Sequence, residues 1–401
     1  MRILFLALTG PLPANNGYTL RNWALLRALA AEEHEVTLLA FGDRTLVRAA
    51  DQALLEGVCR GVDLIPFTWS QLSSLRDIPR RLRGLPGPRP YSVQRFQSSA
   101  MRTRVVAHIE GEKIEAVVSD VFTAINLPTV SPPILLNHHN TEHVILRRYL
   151  AQERHPAKLA YASLEYWKMK RWERDLCRVS AVGMVCSESD RVTLGRLAPS
   201  LRLEIVPNVV DVASADTSVP EHPRTVLFQG GLDWYPNRDA VTFLATAILP
   251  ELRRRIPDAC VVIAGRNPDP RFIRRFRDIP DFRFTGTVDD MRPMIARAAV
   301  CVAPLRIGSG TRLKILEAAA LAKPIVSTTL GAEGLDFRDG EEILLADEPA
   351  AFAEAVAGLL RDNRRRTVLG RAARRRVEAQ YTVTTLRHRL RQALSQATRT
   401  S

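Results

Sequence analysis

The sequence predicts an α/β protein made of two doubly wound, parallel-sheet domains. Three observations carry that expectation. The chain has 401 residues, too long for one compact core. Short apolar runs alternate with longer amphipathic stretches from one end to the other, and strand–helix–strand order requires crossovers, hence parallel sheets covered on both faces. The alternation restarts after a polar stretch, residues 211–222, that lacks periodicity and has prolines near its end.

Residues 3–8 are the first expected strand, followed by a helix in which Trp23, Leu26 and Ala30 recur at helical spacing. Residues 36–41, 62–66, 116–119 and 134–137 are the next expected strands. A long helical segment at about 157–178 leads to strands at 181–186 and 203–206. The second series places strands at 225–229, 260–264, 282–285, 300–304 and 324–327, and its clearest helix carries Val241, Leu244, Ile248 and Leu252. This reading assigns residues 1–207 to an N-terminal domain and 223–381 to a C-terminal one, with a linker near 208–222 and a last helix at about 382–398. Two such domains leave a cleft between the carboxyl ends of their sheets, where ligands of doubly wound folds bind. The loops after each strand are therefore where function is sought.

Composition excludes several classes. Hydrophobic residues make up 46% and charged residues 25% of the chain, an ordinary globular balance. No run of eighteen apolar residues occurs, so no membrane span is expected. Residues 1–8 resemble a short signal peptide, but the brief apolar run flows into a glycine-containing loop and a patterned helix, which favours a buried strand. Five widely spaced cysteines, Cys59, Cys177, Cys186, Cys260 and Cys301, form no Cys-x-x-Cys pair. That speaks against a disulfide framework or structural zinc and for a reducing, cytoplasmic compartment. The 57 basic and 43 acidic side chains give a net charge of +14, nearly all of the excess being arginine. Such a chain suits polyanionic neighbours, although genomic bias toward alanine and arginine accounts for the same composition. Nucleic acid is not an expected partner, because helix-turn-helix, zinc-finger and aromatic-sheet signatures are missing.

Three loops could carry chemistry. Residues 9–18, after the first strand, include Gly17 just before a helix, which permits close approach of backbone to a phosphate. The loop is not Gly-x-Gly-x-x-Gly, so classical dinucleotide binding loses support. Residues 137–143 bring together His138, His139, Glu142 and His143 at a strand's carboxyl end. Zinc is a weak reading there, because the histidines are not a His-x-x-x-His pair on a helix face and no further ligands cluster nearby. An imidazole for proton handling or substrate hydrogen bonding is the stronger one; capping residues with surface histidines is the bland alternative. The densest signal is Ile307-Gly308-Ser309-Gly310-Thr311-Arg312-Leu313-Lys314-Ile315-Leu316-Glu317-Ala318, leading from a strand into a helix. Two glycines free the backbone amides at the helix start for a diphosphate, Arg312 and Lys314 add positive charge, and Glu317 can accept hydrogen bonds from sugar hydroxyls. The spacing is not that of a Walker P-loop.

This segment, with 322–328 and 331–335 after it, resembles the donor-binding region of glycosyltransferase family 4. Supporting landmarks are Gly17, His139-Asn140-x-Glu142, Val206-Pro207-Asn208-Val209-Val210-Asp211, Gln229-Gly230-Gly231 and Phe284-Thr285-Gly286-Thr287-Val288, in family order over nearly the whole chain. The resemblance implies the GT-B architecture of two Rossmann-like domains. It also implies transfer of a sugar from a nucleotide-sugar with retention and without a metal cofactor. The last helix, 382–401, would return to the N-terminal, acceptor-binding domain, and the C-terminal domain would hold the donor.

The resemblance further implies individual roles. Glu317 matches the glutamate on the donor ribose. Arg312, Lys314 and the Thr311–Leu313 backbone lie at the diphosphate beside Gly310, with Gly230 and Gly231 on the neighbouring strand end, and Ser309 stands where the family's first glutamate contacts the donor sugar. Gly17 matches a glycine that touches the phosphates, His139 the histidine near the transferred sugar with Glu142 beside it, and Arg266 and Val288 border the nucleobase. Two departures stand out. The usual Glu-x7-Glu of the donor loop has Ser309 in place of its first glutamate, and the arginine and lysine common after the first C-terminal strand are replaced within residues 230–237. Both resemble a bacterial subgroup linked to exopolysaccharide assembly.

A saccharide or lipid-linked saccharide is the acceptor so implied. A nucleotide-sugar 2-epimerase-like enzyme and a non-catalytic nucleotide-binding module are the alternatives. Residues 361–391 hold eleven arginines against Asp362 and Glu378, and the segment with Tyr161, Tyr166, Trp167, Lys168, Lys170, Arg171 and Trp172 mixes aromatic with basic character. Either suits an anionic membrane surface, which would place the protein on the inner face of the cell membrane.

Overall fold

The computed structural model describes residues 1–43, 45, 47–67, 84–212, 219–266 and 269–398. The chain divides into two compact units. The first takes Met1–Ala14, Tyr18–Pro207 and the described residues from Leu386 on; the second takes Asn15–Gly17 and Asn208–Thr385.

The first unit is built on seven strands: β1 (Arg2–Ala7), β2 (Glu35–Phe41), β3 (Gly61–Ile65), β4 (Ala116–Ser119), β5 (Ile134–Asn137), β6 (Val182–Val185) and β7 (Arg202–Ile205). Their order is β3-β2-β1-β4-β5-β6-β7, and every pairing is parallel. Alternation along β1 sends Leu4 and Leu6 into a cluster with Leu39, Phe41, Met101, Val105 and Val117. Its other side chains, Ile3 and Phe5, are also buried, so both faces of the strand are covered. A second cluster holds Val121, Leu136, Met169, Leu176 and Cys177.

The second unit has six strands, β8 (His222–Gln229), β9 (Cys260–Ala264), β10 (Phe282–Gly286), β11 (Ala298–Ala303), β12 (Ile325–Ser327) and β13 (Leu344–Leu345). They are ordered β10-β9-β8-β11-β12-β13, again all parallel. Its core joins Val226 and Phe228 of β8 to Val241, Leu244, Ile248 and Leu252, and to Phe352 and Val356 of the helix Pro349–Arg361. The helical stripe is the one the periodicity predicts. It runs through Tyr235–Phe243, a π-helical turn Leu244–Ile248, and Leu249–Arg255. Pro250 lacks the amide that would continue the regular ladder, and a wider turn absorbs that loss.

Some expectations shift. The helix Gly17–Ala31 buries Asn22, Leu25, Leu26 and Leu29, whereas Trp23 and Ala30 lie at the half-buried margin of that face. Strand β8 starts at His222, ahead of the expected 225; its first three residues are exposed and the pairing with β11 shifts register there, which is why Pro223 is tolerated. Residues 213–218 of the expected linker and 399–401 of the expected last helix lie outside the described residues. The two-residue β13 was too short to show as a run.

The helix Val383–Thr398 buries Leu386, Leu390, Ala393, Leu394 and Ala397. Arg387 and Arg391 reach Glu32 of the first unit, both at 2.7 Å, and Gln396 donates to Glu204. Among the described residues no helix is long and apolar enough to cross a membrane.

Candidate active site

Each sheet changes winding direction once. In the first the change falls between β1 and β4, in the second between β8 and β11. At such a switch point the two flanking connections run to opposite sides and leave a crevice at the strands' carboxyl ends. In the second unit Gln229 ends β8 with Gly230 and Gly231 after it, and residues 304–312 follow β11, so the glycine pair and the donor loop meet there.

The donor loop feeds the helix Leu313–Ala320. Gly308 has φ 140°, and a Cβ on it would stand 2.8 Å from Arg312 Nη2. Only glycine lets the Arg312 guanidinium fold back over the loop. There Nη1 donates to the carbonyls of Ser309 and Gly310. Arg312 is thus buried as a brace of its own loop, where the sequence placed it as a charge on the phosphate; its arm is fixed by the carbonyls it would otherwise leave buried. Asn208 donates to Thr311 Oγ1 at 2.7 Å, tying the Pro207-Asn208 landmark to the loop. Ser309 is buried, and Leu313 opens the helix.

Lys314 and Glu317 lie three residues apart on one helix face. Lys314 Nζ donates to Asn237 Oδ1 at 2.9 Å and stands 4.1 Å from the centre of the Phe228 ring. Desolvation, with the Arg312 charge, pushes it down to about 7. Glu317 Oε2 accepts from Gln229 Nε2 at 2.9 Å; desolvation pushes it up to about 7, against the pull of Lys314 and aided by Asp290 in the loop after β10. Gly230, at φ 155°, leaves room for this group, since its Cβ would be 2.8 Å from Asn237 Nδ2 and 2.9 Å from Lys314 Nζ. A cation and an acid are therefore held beside a glycine floor and the first-turn amides of a helix. That arrangement can receive a diphosphate and a vicinal diol. Gly231 leads into a turn whose Leu232 N–H donates to the carbonyl of Arg266, and the Arg266 side chain pairs with Asp233 at 3.4 Å. Val288 stands farther along the sheet, in the loop that carries Asp290.

At the first unit's switch point Tyr18 donates to Asp120 at 2.5 Å and accepts from the Leu8 amide. Asp120, at the end of β4, also accepts from the amides of Phe122 and Thr123. His139 stacks on Tyr18 with ring centres 4.3 Å apart. Desolvation and the Arg21 and His138 charges hold it well below the usual imidazole range. Glu142 is pushed up to about 8 by desolvation and by Glu173. Gly17 heads the first helix, after β1.

The three histidines have three separate surroundings. His138 is buried, His139 contacts Tyr18 and Asn137, and His143 Nδ1 pairs with Glu173 at 2.7 Å. Among the described residues no group of three His, Cys, Asp or Glu side chains could hold a metal ion. The helix Glu142–Leu150 is not capped by the Asn or Thr side chain of the bland alternative. Glu173, fully buried on the helix Pro156–Val179, accepts from the amides of Glu142 and His143. Gln229, Asn237, Tyr18, Asp120 and Arg21 join these networks without having been singled out for roles. For Gln229 and Asp120 the available signal was a polar residue at a strand end flanking a switch point.

Residues 223–362 match the family described as glycosyl transferases group 1. The chain is 23% identical to a Klebsiella pneumoniae protein described as an uncharacterized 44.6 kDa protein in the cps region, over 88% of this chain and 90% of that one. It is 31% identical to the phosphatidyl-myo-inositol mannosyltransferase of Mycobacterium leprae, over 39% of this chain and 44% of that one. Solved structures share the fold along the whole chain. One is Anabaena HepE in complex with UDP and glucose, with a TM-score of 0.66 at 13% identity, covering 98% of this chain and 99% of that one. The fold is therefore GT-B, and its second unit carries a group 1 glycosyl transferase domain. The chain is a glycosyltransferase, and the family match lies on residues 223–362 of it.

Proposed function

We propose that the chain moves a sugar from a nucleoside-diphosphate sugar, with retention and without a metal cofactor, to a saccharide or lipid-linked saccharide in bacterial cell-surface polysaccharide assembly. The observation that carries this reading is the Lys314–Glu317 pair beside the glycines of β8, a phosphate-and-ribose pattern at a switch point. The cps-region relative, the UDP and glucose bound by HepE, and the lipid-named mannosyltransferase support it.

On this reading Glu317 holds the ribose, Lys314 and the amides before Ile315 hold the diphosphate, Arg266 and Val288 border the base, and Ser309 faces the donor sugar. Gly17 approaches the phosphates, and His139 with Glu142 meets the transferred sugar. The bond from the anomeric carbon to the diphosphate breaks, and one from that carbon to an acceptor hydroxyl forms on the same face; the hydroxyl proton leaves with the diphosphate. Fixed positive charge at the departing oxygens lowers the barrier because charge develops there. The first unit takes the acceptor. The site of action is the cytoplasmic face of the membrane, with the exposed basic surface toward anionic lipid.

A panel of nucleotide-sugars tested by thermal shift, followed by turnover with and without acceptor, decides the matter. A donor that raises the melting temperature and releases its diphosphate only with acceptor is the expected result. Turnover of the donor alone to an isomeric sugar would instead make the protein an epimerase, and binding without turnover would make it a nucleotide-binding module.

A further inference from the structure

His139 does not meet its surroundings as a free imidazole. Arg21, buried on the first helix, donates from Nε to Asn137 Oδ1 at 2.9 Å and from Nη1 to the carbonyl of Val206 at 2.8 Å. A guanidinium has no acceptor, so the Asn137 atom facing it is the amide oxygen. The orientation of the amide is thereby fixed. Its nitrogen, 3.3 Å from Asn22 Oδ1, lies 3.2 Å from His139 Nε2. An amide nitrogen only donates, so Nε2 accepts, and the proton of the neutral ring resides on Nδ1. Stacking on Tyr18, itself anchored on Asp120, holds the plane of the ring. Among the described residues no protein group takes a hydrogen bond from Nδ1.

We propose that Arg21 and Asn137 are positioning residues that fix His139 as its Nδ1–H tautomer, so that the ring meets the transferred sugar as a hydrogen-bond donor and not as a base. The proposal rests on the reading above that places His139 at the sugar.

Two-bond proton–nitrogen correlation spectra of the uniformly 15N-labelled full chain test it, with His139 assigned by the signals lost in His139→Gln. Nδ1 is expected to be the protonated nitrogen at neutral pH. A ring protonated at Nε2 overturns the relay, and this spectrum needs no variant of Arg21 or Asn137. Asn137→Asp then supplies the inverse case. The new carboxylate still accepts from Arg21, which neutralises it, but toward His139 it can only accept, so the proton should move to Nε2. With that inversion kcat should fall roughly tenfold, the scale of one hydrogen bond lost from the transition state, while nucleoside diphosphate affinity changes by less than about twofold. An uninverted tautomer in Asn137→Asp overturns the relay and leaves the placing of His139 intact. An inverted tautomer with wild-type kcat overturns the donor role, and with it the placing of His139 at the sugar. Arg21→Lys, which retains a donor, should keep the wild-type tautomer; Arg21→Met should give both forms.

Discussion

At the scale of single residues, two groups carry the binding chemistry with opposite proton requirements. Glu317 must be ionised to accept hydroxyl hydrogen bonds, and Lys314 must be protonated to meet phosphate; both are held at about 7 in the unliganded chain. Below that value Glu317 carries a proton that binding must release, so affinity falls as pH drops. Above it Lys314 lacks a proton that binding must take up, so affinity falls as pH rises. Intact nucleotide-sugar, whose diphosphate stays ionised throughout, should therefore bind best near neutrality, with the pair titrating as one coupled unit. Calorimetry should show Glu317→Gln losing the acid limb and Lys314→Met the alkaline one. Glu317→Ala should cost about 1.5–3 kcal/mol of donor binding, the worth of hydrogen bonds to a charged group, with the fold unchanged. Ser309→Ala should leave bare diphosphate affinity close to wild type, whereas Lys314→Ala weakens diphosphate and nucleotide-sugar by similar factors. Equal loss of bare diphosphate in both variants would put Ser309 in the phosphate cradle. Lys314 and Glu317 were legible as candidates because they sit in one local segment, where helical spacing alone puts them together. Asn237 and Gln229, which hold them, come from 77 and 88 residues away and carry no local pattern. Arg21 and Asn137, 116 residues apart, were invisible for the same reason.

Strands and helices were easier to read, because each is a local pattern of burial. Misreadings arose where tertiary placement decides, as in which face of the first helix turns inward and where β8 begins; tertiary placement also supplies the cap of the helix Glu142–Leu150. That cap gives a test. Glu173 accepts two amide hydrogen bonds and pairs with His143 in full burial. Glu173→Ala should strip all three and lower stability by about 3 kcal/mol or more, read as a shift in the denaturant midpoint. A midpoint within error of wild type would mean that solvent caps this helix. At the other switch point Gly230→Ala would press a methyl group against Asn237 and Lys314 in a backbone conformation that L residues avoid. Donor affinity should drop by roughly tenfold or more, with about 1–3 kcal/mol of strain. Wild-type donor titration by this variant would show that Lys314 moves freely and is not held by the floor beneath it.

The whole molecule carries a net charge of +14, and its exposed cations are grouped. On the helix Asn363–Gln380, Arg364, Val368, Arg371 and Arg375 follow one another at three- and four-residue steps, all exposed, with Val368 60% accessible. On Pro156–Val179, Trp167 is 63% accessible, with Lys170 5.5 Å from its ring centre and Arg171 nearby. An exposed tryptophan flanked by cations suits an interface of headgroups and acyl chains. The protein should sediment with anionic liposomes at low salt and stay in solution at high salt. Trp167→Ala combined with Arg371→Glu should weaken that binding without altering donor affinity. No sedimentation at low salt would leave the arginine content as a matter of composition.

The first unit is closed by a helix that follows the second in the chain. Synthesis runs in one direction, so residues 208–385 emerge from the ribosome before Leu386, Leu390 and Leu394 are available to cover the surface they bury. At about 5–20 residues per second that interval is on the order of ten to forty seconds. For that time the surface those leucines cover stays open on a tethered chain, while the second unit is free to gather its own sheet. A chaperone that binds exposed hydrophobic surface would find its longest opportunity there, and the helix Val383–Thr398 would end it.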